Sequence, residues 1–574
     1  MKILSREIKN IILATPQNEA NLLSLKRKFA KNSGQLPLNS ELLSVYRNLL
    51  KNNKIKTDKN LEKLLKKKNI RTLSGVAPIS VLVKNFPCPG NCLYCPTEKA
   101  MPKSYLSNEP AVMRAVLCDF HPFKQVALRL KALQQNGHST DKLELIVIGG
   151  TWNALPEKYR LWFMYNCFAA ANEPQITINK KQIIISKNLK LKTLNKVTWK
   201  DLYREQKKNE MAQNRIIGLT LETRPDYITC SNALEMRQLG CTRVELGVQH
   251  LNDKILKLNR RGHGVAETIK ATNILRSLGF KITYHLMLNL PGSNPAHDLA
   301  MFKKLFKDAC FQPDQIKIYP CVVTKNSDLY NLWQKGQYQP YNTEQLTNLL
   351  IKIKKIVPEY VRIIRVIRDI PETSIIAGNK ITNLRETVLQ NMLLNNKPCR
   401  CIRCREVGHQ QKTQMPNVKC KKIKLFTNKY EAGSGTEYFL SYESVDKKVL
   451  YAFLRLHLPT SKNQLLVTDC RLPAAGYWLL TTPIIRELHT YGELVPIDQQ
   501  DKTASQHRGM GKKLILEAEK IACQNNFREI AVIAGIGVRN YYRKLGYTLL
   551  KDTYLVKKLR KKNNGGIVEM KKNI

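Results

Sequence analysis

The chain has 574 residues, 43% of them hydrophobic, with 95 Lys and Arg against 45 Asp and Glu, a formal net charge of +50 at pH 7. That apolar content excludes a wholly disordered chain, and the length implies about two to four domains. The charge points to a polyanion, nucleic acid first, and 15 clustered Cys exclude a secreted disulfide scaffold. No apolar run approaches the ~18 residues of a membrane span, and the charged start makes a poor signal peptide. A cytoplasmic protein with thiolate metal sites is expected.

Residues 1–75 hold 13 Lys and 4 Arg against 5 acids. Leu22, Leu23, Leu25 and Phe29, then Leu42, Leu43, Tyr46 and Leu50, recur at helical spacing, with Lys63, Lys66, Lys67 and Lys68 on a solvated face. A basic helical region that binds tRNA is the expectation. Residues 76–385 alternate short apolar runs (Val81–Val83, Leu143–Ile148, Ile216–Leu221, Val244–Val248, Ile282–Leu288, Ile316–Ile318) with helical patterns. That rhythm predicts parallel β/α units forming a barrel or part of one. A Lys-, Asn- and Gln-rich stretch at 171–215 interrupts it and reads as a basic loop or hairpin. A Cys-rich connector occupies 386–420, and 421–574 reads as an α+β domain.

Three motifs carry chemistry. Cys88, Cys92 and Cys95 form C-x3-C-x2-C in a loop after the first strand. Three thiolates leave tetrahedral zinc incomplete, but they suit a 4Fe–4S cluster with one iron open to a ligand. This element resembles the cluster loop of the radical S-adenosylmethionine (SAM) superfamily. In that superfamily a strand ending like Ile148-Gly149-Gly150 meets the methionine end of SAM. Glu222, in Glu222–Asp226, and Gln249, in Gly247-Val248-Gln249, sit at further strand ends, with Lys317 and Tyr319 on a later strand. The second motif, Gln506–Lys512, is a Gly-rich turn into a helix. Backbone N–H groups of Gly509, Met510, Gly511 and Lys512 there could cradle a pyrophosphate. It resembles the acetyl-CoA loop of GCN5-related N-acetyltransferases. Glu487, Leu488, His489 and Thr490 read as the strand beside acetyl-CoA. Tyr541 and Tyr542 lie where that fold places a Tyr near the thioester sulfur, and with Gln506 they are the catalytic candidates. Adjacent Tyr on a helix face different sides, so at least one packs. The third motif, Cys399, Cys401 and Cys404, suggests structural zinc, with His409 or Cys420 as fourth ligand.

A cluster domain followed by an acetyl-CoA loop resembles the Elongator catalytic-subunit family, and Asn108–Ala115, Gly137–Ser139, Glu222–Asp226, Arg368–Pro371, Arg405–Gly408, Glu487–Gly492 and Asn540–Tyr547 match its motifs. The matches span roughly 76–560, and the Cys-rich connector resembles that of prokaryotic members. The first two cluster Cys are closer together than in many family members. The resemblance implies a radical SAM partial barrel followed by a GCN5-related acetyltransferase domain, with cluster thiolates Cys88, Cys92 and Cys95. It implies acetyl-CoA contacts at Lys142, Glu487–Thr490, Met510–Lys512 and Tyr542. The implied reaction begins with reductive cleavage of SAM to a 5′-deoxyadenosyl radical, which takes a hydrogen from the acetyl methyl. The resulting carbon radical adds to C5 of the wobble uridine, and thioester hydrolysis leaves a carboxymethyl group. The partners implied are a tRNA anticodon stem-loop and an electron donor, with no obligate Elongator-type subunits. The alternative is a protein lysine acetyltransferase with a structural iron–sulfur domain, which the +50 charge disfavours for basic substrates.

Overall fold

The computed structural model describes residues 2–67, 72, 74–179, 182–186, 188–413, 422–433, 435–460, 474–491 and 509–559. Four helices open the chain: Lys2–Leu13, Glu19–Ser33, Asn39–Lys51 and Lys59–Leu65. They bury their own cluster, including Ile8, Leu22, Phe29, Leu42, Leu43, Tyr46 and Leu49. The helical periodicity holds, with one change of face. Leu23 is 41% exposed, and Leu49 rather than Leu50 turns fully inward. The bundle docks on the helix Pro122–Gln135: Arg47 Nη1 donates to the Gln134 carbonyl at 2.7 Å, and His138 Nε2 lies 2.9 Å from the Lys67 carbonyl.

The central sheet is built from β1 (Ala77–Leu82), β2 (Lys142–Ile148), β5 (Arg215–Thr223), β6 (Arg243–Gln249), β7 (Lys281–Leu288), β8 (Gln315–Pro320) and β9 (Arg362–Arg365), neighbours in that order and all parallel. Seven strands that do not close give a partial barrel. Its outer face is covered by helices such as Pro122–Gln135, Glu157–Asn172, Val265–Ser277 and Thr343–Ile356. The 171–215 insert contains the expected hairpin, β3 (Ile176–Asn179) with β4 (Gln182–Ile185), and also a helix, Trp199–Asn209. Thr198 and Asp201 form a capping box that starts that helix.

A second seven-stranded sheet runs β10 (Ile423–Ala432), β11 (Gly435–Ser444), β12 (Leu450–Pro459), β13 (Ile484–Thr490), β14 (Glu529–Val532), β16 (Tyr554–Lys558), β15 (Thr548–Leu550). Its neighbours are antiparallel except β13 and β14. It packs against the N-terminal ends of the barrel strands through buried ions. Arg486 donates two hydrogen bonds to the Asp314 carboxylate, at 3.0 and 2.5 Å, and one to Glu437 at 2.8 Å. Arg455 Nε donates to Glu487 at 2.9 Å. Among the described residues no helix is long and apolar enough to cross a membrane.

Candidate active site

The cluster loop leaves β1 at the barrel's C-terminal rim. Cys92 is buried, Cys95 half-buried and Cys88 exposed. A hydrogen bond from the Cys95 thiol, helped by the Arg261 guanidinium 3.5 Å from its sulfur, holds the Cys92 thiol well below its ordinary range despite burial. A second guanidinium, Arg224, is oriented by Asp226 at 2.9 and 2.8 Å. A Cβ at Gly90 would sit 2.2 Å from its Nη1, so only glycine lets this cation approach the loop so closely. Arg224 Nη1, Thr223 Oγ1 and Gln249 Oε1 are buried without protein partners, and all three residues line the cavity beside the thiols. Unpaired buried polar groups are costly. Three of them beside three thiols and two guanidinium groups fit an anionic thiolate cluster and a polar ligand on it.

The other cofactor candidates gather at this rim. Gly150, at φ +104°, lines the cavity, and a Cβ there would meet nothing within 4 Å. Gly149 does packing instead, since a Cβ would strike Val83 at 2.4 Å. Glu222 accepts from the Tyr105 hydroxyl at 3.3 Å. Gln249 ends β6 at φ +70°, beside a break in register with β7.

The cavity, about 720 Å³, does not stop at the rim. Side chains alternate along a strand, so every second residue faces the lumen. Below Glu222 and Tyr319 lie Glu245, His285 and Lys317. Below those lie Glu144, Arg243, Gln315 and Arg362, at the N-terminal ends. His285 Nε2 lies 2.9 Å from Glu245, and Lys317 is ion-paired to the same carboxylate. Burial would raise the Glu245 pKa, but Lys317 and His285 outweigh it and hold it well below the carboxylate range. At the floor, Arg362 bonds Glu406 at 2.6 Å and the Tyr491 hydroxyl at 2.7 Å, and His489 Nε2 lies 2.9 Å from the Ser74 carbonyl. The lumen therefore runs from the cluster loop down to Arg362, which in turn contacts Tyr491 just past β13.

On the second sheet, among the described residues, β13 pairs with β14 at Ile484 and Ile485 and continues to Thr490 alongside β12. The helix Met510–Gln524 starts opposite, capped by Gly509 at φ +69°. A Cβ on Gly511 would lie 3.0 Å from the Tyr541 hydroxyl and 3.8 Å from Leu488, which brings these three residues together. Tyr541 is 40% exposed, whereas Tyr542 is buried against Tyr547, with ring centroids 5.9 Å apart. The Glu487 carboxylate faces the domain interface, held by Arg455 and by Lys281 at 3.3 Å. Lys142 starts β2 beside Arg215, and the segment at Gly537 packs on that residue. Burial lowers the Lys142 pKa. Gln506 and Cys420 lie outside the described residues.

The connector thiols come together. Among the described residues, the Cys399, Cys401 and Cys404 sulfurs form a group lying within 4.8 Å of one another. The buried Lys354 ammonium is 3.8 Å from Cys404. Hydrogen bonds from Cys399 and Cys404 hold the Cys401 thiol well below its ordinary range. His409 Nε2 is 2.8 Å from Glu406.

Sequence reasoning missed Arg261, Tyr105, His285 and Arg362. Arg261, in Arg260-Arg261-Gly262, gave a weak signal as a cation next to a turn glycine, while the others become neighbours only once the sheet curls around the lumen.

The Radical SAM superfamily model matches residues 87–305, and the Radical_SAM C-terminal domain model matches 313–393. The chain is 41% identical over 494 residues to a tRNA uridine(34) acetyltransferase of Methanocaldococcus jannaschii, covering 84% of this chain and 85% of the relative. It is 37% identical to human Elongator complex protein 3, covering 86% of each. A solved structure of archaeal Elp3 from Methanocaldococcus infernus, with an N-terminal deletion, matches with TM-score 0.67 and 37% identity, covering 85% of this chain and 100% of that one.

Proposed function

The chain belongs to the family of the tRNA uridine(34) acetyltransferases and Elongator complex protein 3, and from that premise we propose that it converts the wobble uridine of tRNA to 5-carboxymethyluridine with SAM and acetyl-CoA. The observation that carries this reading is the continuous polar lumen, which touches the cluster loop at one end and reaches toward β13 at the other. Such continuity suits an acyl group held by one domain and activated in the other.

Cys88, Cys92 and Cys95 would hold a 4Fe–4S cluster, whose chemistry when bound is to cleave SAM to a 5′-deoxyadenosyl radical. Arg224 and Arg261 supply positive charge beside the thiolates. Glu222, Thr223, Gln249 and Gly150 offer polar groups and space for SAM. Burial of the lumen excludes water from a reactive radical. On the second sheet, which we read as an acetyltransferase-like domain, the helix N-terminus at Gly509–Lys512 would take the CoA pyrophosphate. The end of β13 at Leu488–Thr490 would run beside the pantetheine arm. Tyr541, the exposed member of its pair, would donate a proton to the leaving thiolate or orient the attacking water, while Tyr542 supports it from the core. The basic N-terminal helices and insert would bind tRNA phosphates, and the chain would act without Elongator-type partner subunits.

CoA release from acetyl-CoA should rise when tRNA is added, and Tyr541→Phe should lower the stimulated rate by about 100-fold. Tyr542→Phe should cost less. Equal release with and without tRNA, together with peptide acetylation, would favour the lysine acetyltransferase instead.

We read Cys399, Cys401 and Cys404 as a structural zinc site. Metal analysis of the C88A/C92A/C95A protein should still find about one zinc per chain, and Cys401→Ser should remove it. A Cys88/Cys92/Cys95 triple variant devoid of zinc would refute this.

A further inference from the structure

The 171–215 insert has no part in the chemistry above, yet it carries nine Lys and two Arg against four acids. It folds back over the helix Glu157–Asn172 and leaves an open pocket of about 470 Å³ between them. One wall is aromatic: the Trp162 and His121 rings meet edge to face with centroids 5.1 Å apart. The lining also includes the aliphatic Ile185, Leu189 and Leu194. At one edge stands Asn166, four residues after Trp162 and so on the same face of its helix. Asn166 is wholly buried, and its Nδ2 donates to the Trp162 carbonyl at 2.9 Å. Its Oδ1 is left with no partner, as is His121 Nδ1. Lys192 lines the pocket and is ion-paired to Asp201 at 2.7 Å, and exposed Lys190 and Lys196 lie within two residues of lining positions in the sequence.

An open pocket with an aromatic wall, aliphatic side chains, an unpaired acceptor and nearby lysines has the parts that recognise a splayed base and its backbone phosphates. We propose that this pocket takes one unpaired nucleobase of the bound tRNA. The base packs against Trp162, an N–H on its edge donates to Asn166 Oδ1, and the nearby lysines neutralise the flanking phosphates. Every base carries such an N–H, so the pocket grips a single-stranded segment without choosing its sequence. The proposal rests on the reading that the chain acts on tRNA.

The test uses the full chain, an unstructured RNA decamer, and a sugar–phosphate decamer lacking bases. Trp162→Leu should weaken the base-bearing strand about ten-fold, as expected for loss of one stacked base, and leave the baseless strand unchanged. Trp162→Phe should restore most of the affinity, and Asn166→Ala should weaken the base-bearing strand alone. If the leucine variant does not fold, the comparison of Asn166→Ala with wild type decides. Equal weakening of both strands, or of neither, overturns the pocket. Wild-type protein that fails to bind tRNA at all would instead overturn the underlying reading.

Discussion

Replacing Cys92 by Ala should abolish visible iron–sulfur absorbance in anaerobically reconstituted protein and reduce SAM cleavage to background, with tRNA affinity unchanged. The thiol sits buried between Cys95 and the Arg261 guanidinium, where a thiolate is favoured. Removing it would take away one of the three proposed ligands and the sulfur that Arg261 Nη1 faces. Cys401→Ala, in the connector, should leave absorbance and SAM cleavage intact. Iron that survived Cys92→Ala but vanished with Cys401→Ala would exchange the roles of the two thiol groups.

A second large effect is expected at the domain interface. Arg486→Met leaves the Asp314 and Glu437 carboxylates, both fully buried, without their main counter-ion. Losing one partner of a buried pair costs about 3–5 kcal/mol, so thermal unfolding should begin on the order of 10 °C lower. Acid should act in the same direction. Burial raises these carboxyl pKa values, but for Asp314 the Arg486 and Arg455 cations outweigh it and hold the pKa far below the ordinary value. For Glu487, Lys281 and Arg455 do the same and hold it at about 2. A depressed folded-state pKa gives stability that is fully present above the unfolded value, about 4, and lost as pH falls toward the folded one. The interface should therefore keep its strength down to about pH 4 and loosen below it. Melting of wild type and Arg486→Met across that range checks both statements. A pH-independent difference, or none, would contradict them.

Much of this molecule was legible in the sequence because its signals are local. The parallel strands announced themselves as short apolar runs, buried on both faces. The cluster motif and the Gly-rich turn each lie within a dozen residues, and the connector thiols are close in both sequence and space. What could not be read depends on closure. Glu487 lies in a strand motif that points to acetyl-CoA, yet its carboxylate serves the domain interface, because alternation along β13 turns it toward Lys281 and Arg455. That Tyr541 is the one of the pair that lies beside Gly511, thirty residues earlier, comes from the fold alone. The helix Trp199–Asn209 was hidden by a Lys- and Gln-rich composition, although the Thr198 and Asp201 capping box marked its start. Arg362 joins the barrel, the connector and the second sheet, and nothing near it in sequence says so.

Nucleoside mass spectrometry tests the central claim most directly. Protein reconstituted without oxygen is given a reductant, SAM, acetyl-CoA and an unmodified tRNA, and the tRNA is digested. The account predicts a carboxymethylated uridine at the wobble position, absent when either SAM or acetyl-CoA is withheld and absent with Cys92→Ala. A uridine product formed without SAM, or unmodified tRNA beside acetylated lysine peptide, would contradict it.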